Sequence, residues 1–155
     1  MYAPGIAFEP FAPREEAGKE SVGGDHMRSL VAEDDATSRV VLQKFLLKFG
    51  DCDIAVNGRE AVQAVKKAQL EHRAYDLVCM DLHMPVMDGQ EAIREIRARE
   101  ADADTPRKMK IIVTTALSDM GNITSALLGK CNGYMMKPID IAKLRSELKD
   151  LGLVK

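Results

Sequence analysis

From Arg28 onward the apolar positions follow two alternating periods. Short, nearly continuous apolar runs lie at Ser29–Ala32, Ile54–Val56, Leu77–Met80, Ile111–Thr114 and Tyr134–Met136. Runs of that length without polar alternation predict strands buried on both faces of a parallel sheet. Between them the period changes to that of a helix. Leu42, Phe45, Leu46 and Phe49 form one stripe, and Ala61, Ala64, Val65 and Ala68 a second. Ile93 with Ile96 mark a third, Met120, Ile123 and Leu127 a fourth, and Ile141, Leu144, Leu148 and Leu151 a fifth. Gly50 is placed at the end of the first helix, Asn57-Gly58 at the start of the second and Asp88-Gly89 at the start of the third. The polar stretch from Glu100 to Lys110 is read as a surface excursion after the third helix.

Five strands alternating with five helices predict an α/β fold of (βα)5 type, a doubly wound five-stranded parallel sheet with right-handed crossovers. Residues 1–27 stand apart. Pro4, Pro10 and Pro13 oppose a helix there, and Gly23-Gly24 follow a charged stretch. They are read as a flexible lead, native or appended, with His26-Met27 as a candidate junction and residues 28–155 as the folded domain.

The 155-residue length suits one domain, and an apolar fraction of 46% supplies an ordinary core. Net charge is −2, from 22 basic and 24 acidic residues, so no global field draws the chain to nucleic acid or to an anionic membrane. Cys52, Cys79 and Cys131 are scattered and odd in number, which argues against a disulfide framework or a zinc site. A reducing cytoplasm is the expected location. No apolar run reaches the length of a membrane span, and no Walker-type phosphate loop is present.

In a doubly wound sheet the functional site lies beyond the carboxyl ends of the strands, where the strand order reverses. Glu33, Asp34 and Asp35 follow the first predicted strand, Asp81 the third, Thr114 and Thr115 the fourth, and Lys137-Pro138 the fifth. The first and third strands are neighbours in such a sheet, so their acids meet. Clustered carboxylates repel one another, and a hard, oxygen-preferring cation relieves the repulsion; magnesium is the natural choice. Acids at strand ends also cap helices, and Asp35, beside Thr37, is read in that way. Lys137 emerges from a buried strand onto the acidic patch, within reach of a carboxylate and of an incoming phosphoryl oxygen. Thr115 offers its hydroxyl to the same oxygen. The Lys137–Pro138 bond is a candidate for the cis form.

The strings Val31-Ala32-Glu33-Asp34-Asp35, Met80 to Gly89 (MDLHMPVMDG), Val113-Thr114-Thr115-Ala116 and Gly133 to Pro138 (GYMMKP) resemble the receiver domains of two-component response regulators. The resemblance spans nearly all of residues 28–155. It implies a flavodoxin-like receiver topology with Asp81 as phosphoryl acceptor. It also implies Mg2+, with Mn2+ as a substitute, held by Asp34 and Asp81, by Glu33 directly or through water, and by the backbone carbonyl of His83. Thr115 and Lys137 would bind the phosphoryl oxygens, and Tyr134 would be the aromatic that turns inward when Thr115 is drawn to the phosphate. Ala116, being small, would leave the phosphoryl site open.

The donor would be a phosphohistidine on a sensor histidine kinase or phosphotransfer protein, docking on the first helix near Thr37, Arg39, Val40 and Gln43. A target protein would read the face made by the fourth helix, fifth strand and fifth helix. The chain is expected to act as a self-dephosphorylating signalling domain rather than a conventional enzyme, as a stand-alone monomer or weak dimer without a DNA-binding output. Two rivals of other chemistry fit less well. A flavin carrier would need a phosphate-binding loop where the acids stand, and an aspartyl-phosphate hydrolase would carry its nucleophile after the first strand.

Overall fold

The computed structural model describes residues 26–155 apart from Asp104, Pro106 and Thr124. The expected lead therefore lies outside the described residues, except for His26 and Met27. Met27 is core: its side chain is buried, and its backbone N–H donates to Phe49 O at 2.9 Å.

Five strands, β1 (Ser29–Ala32), β2 (Cys52–Ala55), β3 (Leu77–Asp81), β4 (Lys110–Thr115) and β5 (Gly133–Met136), form one sheet in the order β2-β1-β3-β4-β5. All neighbouring pairs are parallel. The order reverses between β1 and β3, which pair from Ser29↔Leu77 to Ala32↔Met80. That is the expected doubly wound sheet.

Side chains leave each strand to alternate faces, and both faces are covered. Leu30, Ala32, Val78, Met80, Ile111 and Val113 enter one core with Ala61, Ala64 and Val65 of α2 (Gly58–Leu70) and Ile93 and Ile96 of α3 (Gly89–Asp102). Val31, Leu77, Cys79, Ile112 and Met135 enter the other with Leu42, Phe45 and Leu46 of α1 (Ala36–Leu46) and Leu144 and Leu148 of α5 (Ile141–Asp150). This double burial is why the strands read as unbroken apolar runs.

The helix starts follow capping chemistry. Asp35, Asn57, Asp88 and Asp140 each accept a backbone N–H from three residues on, closing the first turns of α1, α2, α3 and α5.

Four expectations are corrected. First, β2 begins at Cys52, two residues earlier than read, and ends before Val56. Asp53 disguises it, because that carboxylate sits within the strand and is satisfied by the Tyr75 hydroxyl and by Arg28 at 3.3 Å. Second, Gly50 does not close the first helix. α1 ends at Leu46, and Gly50, at φ 152°, lies where a Cβ would overlap the Met27 carbonyl. Third, the stripe Met120, Ile123, Leu127 is not one helix. A 3-10 segment, Leu117–Asn122, and a single turn, α4 (Ser125–Leu128), are separated by Ile123 in an extended conformation.

The fourth correction concerns Glu100. α3 runs on through Asp102, and Glu100 is buried rather than part of an excursion. Its Oε1 accepts from Arg97 at 2.7 Å, and Arg97 also donates to Lys130 O at 2.9 Å and Met109 O at 2.8 Å. Among the described residues no helix is long and apolar enough to cross a membrane.

Candidate functional site

The carboxyl ends of β1 and β3 deliver Glu33 and Asp34 beside Asp81, and one carboxylate oxygen from each lies within 4.8 Å of the other two. Glu33 and Asp81 are buried and Asp34 is exposed. Lys137 leaves the end of β5 and spans the pair, with Nζ 2.8 Å from Glu33 Oε1 and 3.1 Å from Asp81 Oδ2. Its backbone N–H donates to Thr115 O at 2.8 Å, so β4 holds the strand end from which the lysine projects. The Lys137–Pro138 bond is cis.

Burial raises the Glu33 carboxyl above its ordinary value, against the Lys137 hydrogen bond and with the help of the neighbouring Asp81 charge. Burial likewise raises Asp81, against the charge of Lys137. Burial acts to lower the Lys137 ammonium, but its bond to Glu33 and the charges of Asp81 and Glu33 prevail and raise it. One cation thus only partly compensates three acids. Oε2 of Glu33 is buried and has no hydrogen-bond partner. A buried carboxylate oxygen with no donor costs free energy unless something positive reaches it. Together, the orphaned Glu33 oxygen, the buried Asp81 carboxylate and the exposed Asp34 carboxylate form a donor set that fits a hard divalent cation.

Of the remaining residues expected at the site, His83, Thr115 and Ala116 stand at or just beyond the carboxyl ends of β3 and β4, while Tyr134 packs away from the acids. The His83 side chain is exposed, while its backbone N–H donates to Asp81 Oδ1 at 3.2 Å and orients the carboxylate. Thr115 is buried at the end of β4, its hydroxyl 3.3 Å from Ala116 O. Ala116 is partly exposed and leads into the 3-10 segment. Tyr134 lies near the start of β5, partly buried against the α2–α3 core, with its hydroxyl donating to Leu127 O at 3.4 Å. Burial, aided by Cys131, pushes its phenol up to about 12. A cavity of about 530 Å3 opens beside the acids, lined by Asp34, His83, Met84, Pro85, Asp88 and Asp119 among others.

Two residues have a role at the acids that the sequence does not signal. Arg39, flagged only for docking, donates from Nη1 to Glu33 O at 3.1 Å and Asp34 O at 3.4 Å and so holds the acidic loop. Asp35 does cap α1, and its own N–H donates to Glu33 Oε1 at 3.2 Å. Neither contact leaves a signal in residue spacing, because each uses a backbone group of the acidic loop.

The fold is a doubly wound α/β domain whose acid–lysine cluster stands at the β1/β3 switch point, where such sheets bind their ligands. The family model described as response regulator receiver domain matches residues 30–149, and the chain belongs to that family. It is 34% identical over 137 residues to hybrid signal transduction histidine kinase G of Dictyostelium discoideum, a match covering 86% of this chain and 4% of that protein. It is 31% identical over 126 residues to the osmosensing histidine protein kinase SLN1 of Saccharomyces cerevisiae, covering 80% of this chain and 10% of that one. The chain thus spans a small part of these relatives.

Among solved structures, the receiver domain of Ssk1 from S. cerevisiae, crystallised with the histidine phosphotransfer protein Ypd1, superposes with a TM-score of 0.70 at 28% identity. That match covers 83% of this chain and 90% of that one. The receiver domain of sensor histidine kinase PA1611 from Pseudomonas aeruginosa, with magnesium coordinated in its active site cleft, gives a TM-score of 0.67 at 29% identity, covering 82% and 98%. The chain is a receiver domain of two-component signalling.

Proposed function

We propose that Asp81 is the phosphoryl acceptor of this receiver and that Glu33, Asp34, Asp81 and the His83 carbonyl hold Mg2+ beside it, with Mn2+ as a substitute. The observation that carries the reading is the position of Lys137, between Glu33 and Asp81 in a cluster that still has a buried carboxylate oxygen without a partner. The magnesium in the cleft of the related PA1611 receiver supports it. Bound there, the ion would cancel the charge that otherwise repels a dianionic phosphoryl group.

The protein's own groups do the rest. Asp81, oriented by the His83 N–H, presents an oxygen to phosphorus. An O–P bond forms as the P–N bond of a phosphohistidine breaks, and the imidazole keeps the electron pair. Lys137 moves from its carboxylate partners toward the phosphoryl oxygens and stabilises the charge that gathers on them. Thr115 turns its hydroxyl from Ala116 O to the same oxygens, and Tyr134 follows into the space it leaves, which biases the α4–β5–α5 face toward a target protein. Water attacking the acyl phosphate ends the signal.

The Ypd1 complex of the related Ssk1 receiver supports a phosphotransfer protein or sensor kinase as donor. Thr37, Arg39, Val40 and Gln43 of α1 are the contacts favoured for docking; Val40 is 46% exposed. The deciding experiment is intact-mass spectrometry after incubation with phosphoramidate or acetyl phosphate. A magnesium-dependent gain of one phosphoryl group, lost in Asp81→Asn, is expected; a gain that persists in the variant would move the acceptor elsewhere.

A further inference from the structure

The loop from β3 to α3 is held from outside. The Gly58 N–H, at the N-terminus of α2, donates to Met87 O at 2.9 Å. A Cβ on Gly58 would overlap Met87 O and stand 2.9 Å from Asp88 O. Both are backbone atoms and cannot swing aside as a flexible side chain would. The loop is also pinned at its ends. Gly89 donates to Leu82 O at 3.0 Å and packs where a Cβ would overlap Asp81 O, while His83 donates to Asp81 Oδ1 at 3.2 Å. Its tip is tight: Met87 donates to Pro85 O at 2.8 Å around Val86 at φ 70°. Met84 and Met87 are buried beneath it. A loop so constrained transmits a push at residues 87–88 to residues 81–83 instead of absorbing it.

We infer that Gly58 is a positioning residue for the metal site: lacking a side chain, it lets the start of α2 hold the β3–α3 loop where His83 and Asp81 serve the acid cluster. This rests on the proposed metal-binding reading. It gives α2, which contributes no ligand, a direct mechanical link to the ion. Outer contacts that orient metal ligands commonly change affinity by about 10- to 100-fold when lost.

The test is calorimetric titration of Mg2+ into metal-free wild type, Gly58→Ala and Gln63→Gly, with amide hydrogen exchange followed in each. Gln63 is exposed in the middle of α2, so a glycine there weakens the helix without touching the loop. Gly58→Ala is expected to weaken Mg2+ binding by about tenfold or more, and to speed exchange of the His83 amide before metal is added. Gln63→Gly should keep wild-type affinity. Unchanged affinity in Gly58→Ala, or an equal loss in Gln63→Gly, overturns the inference. Should wild type bind no Mg2+, the metal reading fails instead, and the metal-free His83 amide still reports whether Gly58 sets the loop. Should Gly58→Ala not fold, the wild-type Gly58 amide decides: Mg2+ must slow its exchange, and unchanged exchange would overturn the link.

Discussion

Lys137 Nζ lies 2.8 Å from Glu33 Oε1, joining residues 104 positions apart across the top of the sheet. The same nitrogen reaches Asp81, so one cation stands between two buried acids. Lys137→Met removes it and leaves those acids facing each other. Metal-free stability at neutral pH should fall by about 2–3 kcal/mol, below the full cost of breaking a buried pair because Lys137 is partly exposed. Urea unfolding with and without Mg2+ measures this. Magnesium should restore most of the loss, since it supplies the missing charge, and a loss untouched by magnesium would show that these acids do not hold the ion.

Proton linkage gives a second expectation. The Glu33 and Asp81 carboxyls are both raised above their ordinary values, chiefly by burial. In the window between those ordinary values and the raised ones, the metal-free folded state binds more protons than the unfolded chain. Its stability therefore falls as pH rises through that window, and the deficit is complete above it. Mg2+ needs the ionised carboxylates and offsets the deficit. The gain in melting temperature on saturating Mg2+ should be larger at about pH 8 than at about pH 5. An equal gain at both would detach the ion from these acids.

The sheet and its acidic end were legible because both follow from short-range pattern. Strands buried on two faces read as unbroken apolar runs, and a doubly wound order brings the ends of β1 and β3 together, so the sequence alone groups Glu33, Asp34 and Asp81 with Lys137. What escaped depends on contacts that periodicity does not carry. The Met120–Leu127 stripe keeps helical spacing through Gly121 and an extended Ile123, yet only Leu127 of its three residues is buried. Asp53 looks like the end of a loop until Arg28 and Tyr75 are seen to meet it. Glu100 looks like the start of a polar loop until Arg97 neutralises it.

That last pair makes a prediction. Glu100 is 2% exposed and its Oε2 has no hydrogen-bond partner, so Arg97 carries nearly all its compensation. Arg97 also serves Met109 O, Lys130 O and Asn132 Oδ1, joining α3 to the approaches of β4 and β5. Arg97→Met strands a buried carboxylate and removes a donor from three further oxygens. It should cost about 3–5 kcal/mol in urea unfolding. Arg97→Met with Glu100→Leu should recover a large part of that, because removing both charges leaves fewer unpaired groups than removing one. A double variant no better than the single would place the cost in the lost backbone contacts.

Val86 offers a change in the opposite direction. It is 74% exposed and sits at φ 70°, at the centre of a three-residue turn closed by the Met87 N–H to Pro85 O bond, a positive-φ conformation that strains a β-branched side chain. The turn is held by the Met87 N–H to Pro85 O bond and by Gly58 behind it, so the backbone keeps this shape in spite of the side chain. Asparagine adopts positive φ more readily than a β-branched residue, and an exposed valine contributes little burial to lose. Val86→Asn should therefore stabilise the domain by about 1 kcal/mol, within the usual cost of such strain, and raise the melting temperature by about 3 °C for a domain of this size. Because the turn keeps its shape, Mg2+ affinity should stay at the wild-type level. A stabilised variant with altered Mg2+ affinity would mean that the strain itself helps to set the metal loop. A destabilised one would mean that the valine side chain supports the turn.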